Sequence, residues 1–151
     1  MVEIKFQRLH AKAALPSYAT AGAACFDFQA AFDGEPITVE PGRVVAIPTG
    51  LACEIPPGYE LQVRARSGLA FKHGFSLVNG IGTIDADYRG EIRVLVTVHA
   101  MEAFTVRSGD RIAQGIISPA PQARLVEAAT LSETARGTGG FGSTGLAGKS
   151  T

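Results

Sequence analysis

Ile92-Arg93-Val94-Leu95-Val96-Thr97-Val98 decides the fold class. Apolar side chains stand at Ile92, Val94, Val96 and Val98, and a period of two marks a strand that buries one face. The same period recurs at Val2, Ile4 and Phe6 and at Tyr59, Leu61 and Val63, whereas no window of similar length carries the helical period. Turn signals separate these runs: Asp33-Gly34, Pro41-Gly42, Pro56-Pro57-Gly58, Asn79-Gly80, Arg89-Gly90 and Ser108-Gly109-Asp110. Many short strands with frequent turns predict an all-β sandwich, jelly roll or barrel. At most one short helix is expected, around Ser67 to His73.

A chain of 151 residues, 46% of them hydrophobic, fits one domain of ordinary size. Lys plus Arg and Asp plus Glu number 14 each, so the formal charge is zero and no non-specific grip on nucleic acid or anionic membrane is expected. The apolar run Val94 to Val98 is far short of the ~18–20 residues that span a bilayer. Glu3, Lys5, Gln7 and Arg8 break up any apolar leader, so the expected location is cytoplasmic. Cys25 and Cys53 have no CxxC spacing and His10, His73 and His99 form no ligand pair, which suggests neither zinc nor a disulfide framework; two buried free thiols are expected. Ten of the fourteen basic residues are Arg, the better planar, bidentate partner for phosphate oxygens.

The composition changes near Arg136. Six of the twelve residues from Gly137 to Gly148 are glycine, so the expected division is a β domain over 1–135 and a mobile Gly-rich arm over 136–151. Gly137-Thr138-Gly139-Gly140-Phe141-Gly142 satisfies GxGxxG, but a dinucleotide site needs a βαβ unit and only nine residues remain. Gly148-Lys149-Ser150 resembles the end of a phosphate-binding P-loop, but Ser143 stands where its first glycine belongs. Both readings are rejected.

Four stretches carry chemistry. Asn79-Gly80-Ile81-Gly82-Thr83-Ile84-Asp85-Ala86-Asp87-Tyr88-Arg89-Gly90-Glu91 predicts a hairpin with its tip near Asp85 to Tyr88, leaving main-chain groups free to read a planar ligand. Asp85 there suits a general base, and Asp87, if it faces the same way, would raise one carboxyl; the competing reading is a pair of turn-capping aspartates. Alternation sets Arg64 and Arg66 on one face with Ser67-Gly68 after them, an arrangement for a phosphate or for charges paired with Glu60 or a neighbour. Gln114, in Gly109-Asp110-Arg111-Ile112-Ala113-Gln114-Gly115, shares a face with Ile112 and needs partners for its amide, from structure or from ligand. The tail holds Arg136 and Phe141 among glycines, the outline of a nucleotide lid or of a linker.

Together with Ala21 to Phe28 before them, these four stretches resemble, in order, the five motifs of the trimeric deoxyuridine triphosphate nucleotidohydrolases, the dUTPases. The matches are Ala21 to Phe28, Arg64 to Ala70, Asn79 to Glu91, Gly109 to Gln114 and Arg136 to Gly145, so the resemblance runs through nearly the whole chain. It implies a jelly-roll-like β-barrel, a homotrimer with shared active sites, and a flexible C-terminal arm. It also implies hydrolysis of dUTP to dUMP and pyrophosphate by water attack at the α-phosphorus, which limits uracil entry into DNA and supplies dUMP for thymidylate synthesis. Mg²⁺ would arrive with the phosphates and have no direct protein ligand, its waters oriented by Asp27.

Residue by residue, Asp85 matches the general base, and Asp27 and Gln114 complete the catalytic set. Asn79, Thr83, Ile84 and Arg93 match the uracil region, and Tyr88 matches the ring that packs on deoxyribose. Arg64, Arg66, Ser67, Gly68 and Gln114 match phosphate and leaving-group contacts. Arg136, Gly142, Ser143 and Thr144 match the lid over the phosphates, and Phe141 matches the aromatic that covers uracil. A pocket of hydrogen-bonding groups rejects a wrong edge by ~10⁴–10⁵, whereas a methyl is worth only about 1–3 kcal/mol, so thymine must be excluded by a tight main-chain wall. Cys25, Phe26, Phe28 and Gly115 depart from the family's usual residues without touching charged positions. A deaminase of related fold and a non-catalytic nucleotide sensor are the alternatives, separated from hydrolysis by their products.

Overall fold

Strand β10 (Arg93–Val98) is the alternating stretch as expected: Val94, Val96 and Val98 are buried, and Arg93 and Leu95 face outward. The computed structural model describes residues 2–141. Before β10 come β1 (Lys5–Arg8), β2 (Ser17–Tyr18), β3 (Phe26–Gln29), β4 (Ile37–Val39), β5 (Val45–Pro48), β6 (Leu51–Glu54), β7 (Tyr59–Arg64), α1 (Ser67–His73), β8 (Phe75–Leu77) and β9 (Gly82–Ile84). After it come β11 (Phe104–Val106) and β12 (Arg111–Pro119).

The strands form four sheets, ordered β1-β6, β5-β10-β8, β11-β4 and β2-β3-β12-β7-β9. Every pairing between these strands is antiparallel. The sheets share one core, in which Phe28, Ile47, Leu51, Leu61, Phe75 and Ile92 are fully buried. Each such side chain contributes roughly 1.5–3 kcal/mol. Thr49 and Thr97 are buried polar residues, and the Thr49 hydroxyl donates to the Ile92 carbonyl at 2.6 Å and accepts from the Leu51 N–H at 3.3 Å, so no polar atom is left unpaired there.

The single helix among the described residues is α1, at the expected place. Gly74 stops it in the left-handed region (φ 60°), its N–H returning to the Ala70 carbonyl. A Cβ at Gly74 would also stand 2.7 Å from the Ala100 nitrogen.

One expectation fails between β9 and β10. These strands do not form a hairpin: β9 pairs with β7, while β10 pairs with β5 and β8 in another sheet. The residues between them cross from one sheet to the other, which period-two patterning cannot reveal because it is the same in either sheet. The Arg89-Gly90 turn signal does mark a bend, at Gly90, whose φ is not left-handed, and the Tyr88 ring occupies the space a Cβ there would need.

Candidate active site

Strand β7 is the axis of the site. Its register with β12 sets Arg64 beside Gln114, and the register of β12 with β3 sets Gln114 beside Asp27. A bulge between Arg111 and Ala113 shifts β12 so that Arg111 falls beside Gln29 and both Ile112 and Ala113 are buried. Asp27, half-buried, gathers two guanidinium groups: Arg66 Nε at 3.1 Å and Arg111 Nη1 at 2.9 Å, one on each carboxylate oxygen. Arg66 Nη1 also donates to the Arg111 carbonyl at 2.8 Å. Two cations on one carboxylate leave a net positive patch beside Ser67 and Gly68. Gln114 donates from Nε2 to the Ala65 carbonyl at 2.8 Å, tying β12 to the segment that carries Arg66.

Arg64 and Arg66 do not share a partner. Arg64 lies back along its own strand, donating from Nε and Nη2 to Gln62 Oε1 at 3.2 and 2.6 Å, and Gln62 passes the chain on to Glu60 at 2.7 Å. Residues i, i+2 and i+4 of a strand share a face, which is why this ladder forms.

Asp85 belongs to the other end of β7. Ile84 lies beside Leu61 and Gly82 beside Val63, so the chain leaves β9 next to Glu60. There Asp85 and Asp87 border a cleft of ≈ 1200 Å³ that also touches Tyr59, Glu60, Arg89 and Pro121. The two aspartates are not an extended pair: Ala86 and Asp87 form a turn closed by the Tyr88 N–H on the Asp85 carbonyl at 3.1 Å. Strand β9 is the edge of its sheet, and the outer side of Thr83 and Ile84 has no strand partner among the described residues. Asn79 adjoins this edge, its Nδ2 3.4 Å from where a Cβ on Gly82 would lie.

The remaining residues are dispersed. Arg93 pairs with Glu91 at 2.7 Å, and Glu91 also accepts from the Gly50 N–H at 3.0 Å, bracing the crossover. Tyr88, exposed, donates its hydroxyl to the Glu91 carbonyl at 3.1 Å. Arg136 Nε donates to the nearby Gly139 carbonyl at 2.8 Å, and Phe141 is fully exposed. Gly142, Ser143 and Thr144 lie outside the described residues. Burial pushes the Cys53 thiol up, whereas Cys25 is only half-buried because β3 begins one residue after it, which corrects the expectation of two buried thiols.

Arg111, Arg89 and Glu91 are contributors that sequence reasoning did not single out. Arg111 was within a quoted motif, but nothing in linear spacing brings it to Asp27 across β3 and β12. Among the described residues no three carboxylate, imidazole or thiol groups gather as a metal cage.

Comparison with solved structures fixes the class. The fold is that of phage dUTPases: the Staphylococcus bacteriophage 80alpha dUTPase with dUPNHPP superposes with a TM-score of 0.82 at 25% identity, over 95% of this chain and 99% of that one. A point-mutant dUTPase of phage phi11 of S. aureus, described with a structural Mg(II) ion, gives 0.78 at 22% identity over 87% and 99%. The dUTPase family profile matches residues 11–145. The deoxyuridine 5'-triphosphate nucleotidohydrolases of Rhizobium etli and Nautilia profundicola are 56% and 50% identical, covering 87% and 95% of this chain and 85% and 99% of those proteins. The chain belongs to the dUTPase family.

Proposed function

We propose that the chain hydrolyses dUTP to dUMP and pyrophosphate as a homotrimer in which no subunit holds a whole active site. One observation carries this reading: Asp85 and the Asp27–Arg66–Arg111 cluster lie at opposite ends of β7 and on opposite sides of it. From Glu60 to Arg64 is roughly 13 Å of strand, and from β9 to β3 three strand spacings add about 14 Å. A base and a phosphate clamp so far apart in one chain act on one nucleotide only if different subunits supply them. The stretch from Pro121 to Thr138 supports the same assembly, because Leu125, Val126 and Leu131 are exposed and uncovered by their own chain.

In the reaction the Asp85 carboxylate orients a water and takes its proton as the oxygen bonds to the α-phosphorus. The bond from that phosphorus to the bridging oxygen breaks, and pyrophosphate leaves. Asn79 and the open edge at Thr83 and Ile84 read the uracil, with Arg93 behind them, and the Tyr88 ring packs on deoxyribose. Arg66, Ser67, Gly68 and Gln114 hold the phosphates, with Arg64 beside Gln114. The donor set fits a Mg²⁺ that arrives on the triphosphate, since Asp27 alone offers a carboxylate at the cationic cluster, suited to contact through water. When bound, that ion offsets phosphate charge. Residues 1–135 form the jelly-roll-like barrel and 136–151 the lid, with Arg136, Ser143 and Thr144 on the phosphates, Gly142 between them and Phe141 over uracil. A cytoplasmic location completes the reading; among the described residues no helix is long and apolar enough to cross a membrane.

The test mixes two inactive chains, Asp85→Asn and Asp27→Asn, unfolded and refolded together. Random assembly pairs an intact base with an intact clamp at about one site in four, so roughly a quarter of the parental rate of pyrophosphate release from dUTP is expected. UTP, dTTP and dCTP, run in parallel, should release none. A mixture as inactive as its components rejects the shared site, and ammonia in place of pyrophosphate rejects hydrolysis.

A further inference from the structure

We infer that Arg89 is a positioning residue for hydrolysis, holding the turn that presents Asp85. This rests on the reading of Asp85 as the base. Arg89 Nη1 donates to two main-chain carbonyls of the same turn, Ala86 at 2.7 Å and Tyr88 at 2.9 Å. The turn itself is closed by one main-chain bond, Tyr88 N–H to the Asp85 carbonyl at 3.1 Å. It lies in a crossover between sheets, where among the described residues no neighbouring strand holds residues 85–88. A guanidinium that ties the second and last residues of so short a turn removes freedom that the base would otherwise have.

Charge points the same way. The cleft is bordered by Glu54, Glu60, Asp85 and Asp87, and Arg89 is the one cation among its described lining residues. Without it, the turn loses both its clasp and the cation that offsets the carboxylates around it. The Tyr88 hydroxyl on the Glu91 carbonyl and the Glu91 carboxylate on the Gly50 N–H fix the far side of the crossover. Arg89 therefore completes a brace whose other members hold residues 88–91 and leave Asp85 to it.

The geometry gives a kinetic signature. Arg89 binds the protein's own carbonyls, so its loss should act on the chemical step more than on nucleotide affinity; a misplacement of about 1 Å costs on the order of 10²-fold in rate. Arg89→Met keeps the stem and removes both donors, whereas Arg89→Lys restores a cation able to reach the same carbonyls. The measurements are kcat and KM for dUTP in the full chain with Mg²⁺, and hydrogen exchange at the Tyr88 amide without nucleotide. Arg89→Met should lower kcat about tenfold or more with KM within about twofold, and speed Tyr88 exchange about tenfold. Arg89→Lys should recover most of both. An unchanged kcat in Arg89→Met, a loss carried wholly by KM, or unchanged Tyr88 exchange overturns the inference. Should Arg89→Met not fold, Arg89→Lys still decides it, since no recovery of Tyr88 protection by a cation that restores the fold rejects the clasp. An Asp85→Asn variant that turns over at the parental rate would instead reject Asp85 as base, a separate failure.

Discussion

Gly115 of β12 lies directly opposite Phe26 of β3, and the Phe26 ring fills the space that a side chain at 115 would need. A Cβ on Gly115 would stand 2.5 Å from Phe26 Cε2 and 2.7 Å from Phe28 Cε2. The two rings meet edge to face, their centroids 5.5 Å apart, and Phe6 and Tyr18 pack on Phe26 at 6.1 and 5.5 Å. The residue pair next along this ladder is Gln114 with Asp27. What the sequence presents as unrelated departures from the family pattern is one exchange of volume: rings on β3, none on β12.

Gly115→Val alone is expected to lower stability by about 1–3 kcal/mol through overpacking. Phe26→Leu in the same chain opens room and should return part of that loss. Denaturant unfolding of both single variants and the double variant measures the coupling; strictly additive effects would reject a shared space.

Much of this was legible in the sequence, for reasons that differ by element. Period two named β7 and β10, because burying one face forces it, and the one short helix expected around Ser67 to His73 is α1. The crossover at residues 85–92 was not legible, because alternation records which face is buried and not which strand lies alongside. The Asp27–Arg111 pair was hidden for a related reason: it spans two strands and depends on a bulge. Arg64 was only half legible. Its parity with Arg66 is real, but Arg66 lies beyond the strand end and turns to Asp27, while Arg64 remains in the ladder with Gln62.

Asp85→Asn preserves the shape of the turn, since the Tyr88 N–H bonds the main-chain carbonyl of residue 85 and not its side chain. The amide cannot accept the proton of the attacking water. Turnover should fall by about 10²–10⁴-fold, while the affinity for a non-hydrolysable dUTP analogue changes little. Single-turnover kinetics beside equilibrium binding separates the two; a large loss of binding would move Asp85 from base to ligand contact.

Truncation after Ala135 removes no fully buried side chain among the described residues, and the Arg136 bond to Gly139 is internal to the removed piece. Turnover should therefore drop sharply with the unfolding midpoint and the oligomer size unchanged. Sedimentation and a steady-state assay on the same preparation check this. Dissociation on truncation would show that the segment builds the assembly and does not serve as a lid.

The acid and alkaline limits of stability should reflect how β1 is fastened. Among the described residues its one strand partner is β6, and Lys5 Nζ bonds Glu54 Oε1 at 2.9 Å across that pair. The hydrogen bond, and then the charge, of Lys5 hold the Glu54 carboxyl below its ordinary 4.5, and the same bond raises Lys5 above its ordinary 10.5. A lowered carboxyl stabilises the fold above its unfolded value and ceases to as pH falls through the folded one. A raised amine stabilises below its unfolded value and ceases to as pH rises through the folded one. Lys5→Met should thus reduce stability by a small, constant amount over roughly pH 6 to 9, and the difference from the parent should vanish towards both extremes. Both groups are exposed, so added salt should shrink the effect even at neutral pH. Thermal midpoints of the two chains across pH and salt measure it, and a difference that persists below the folded value of Glu54 would mean that Lys5 acts through its alkyl stem on β6 and not through its charge.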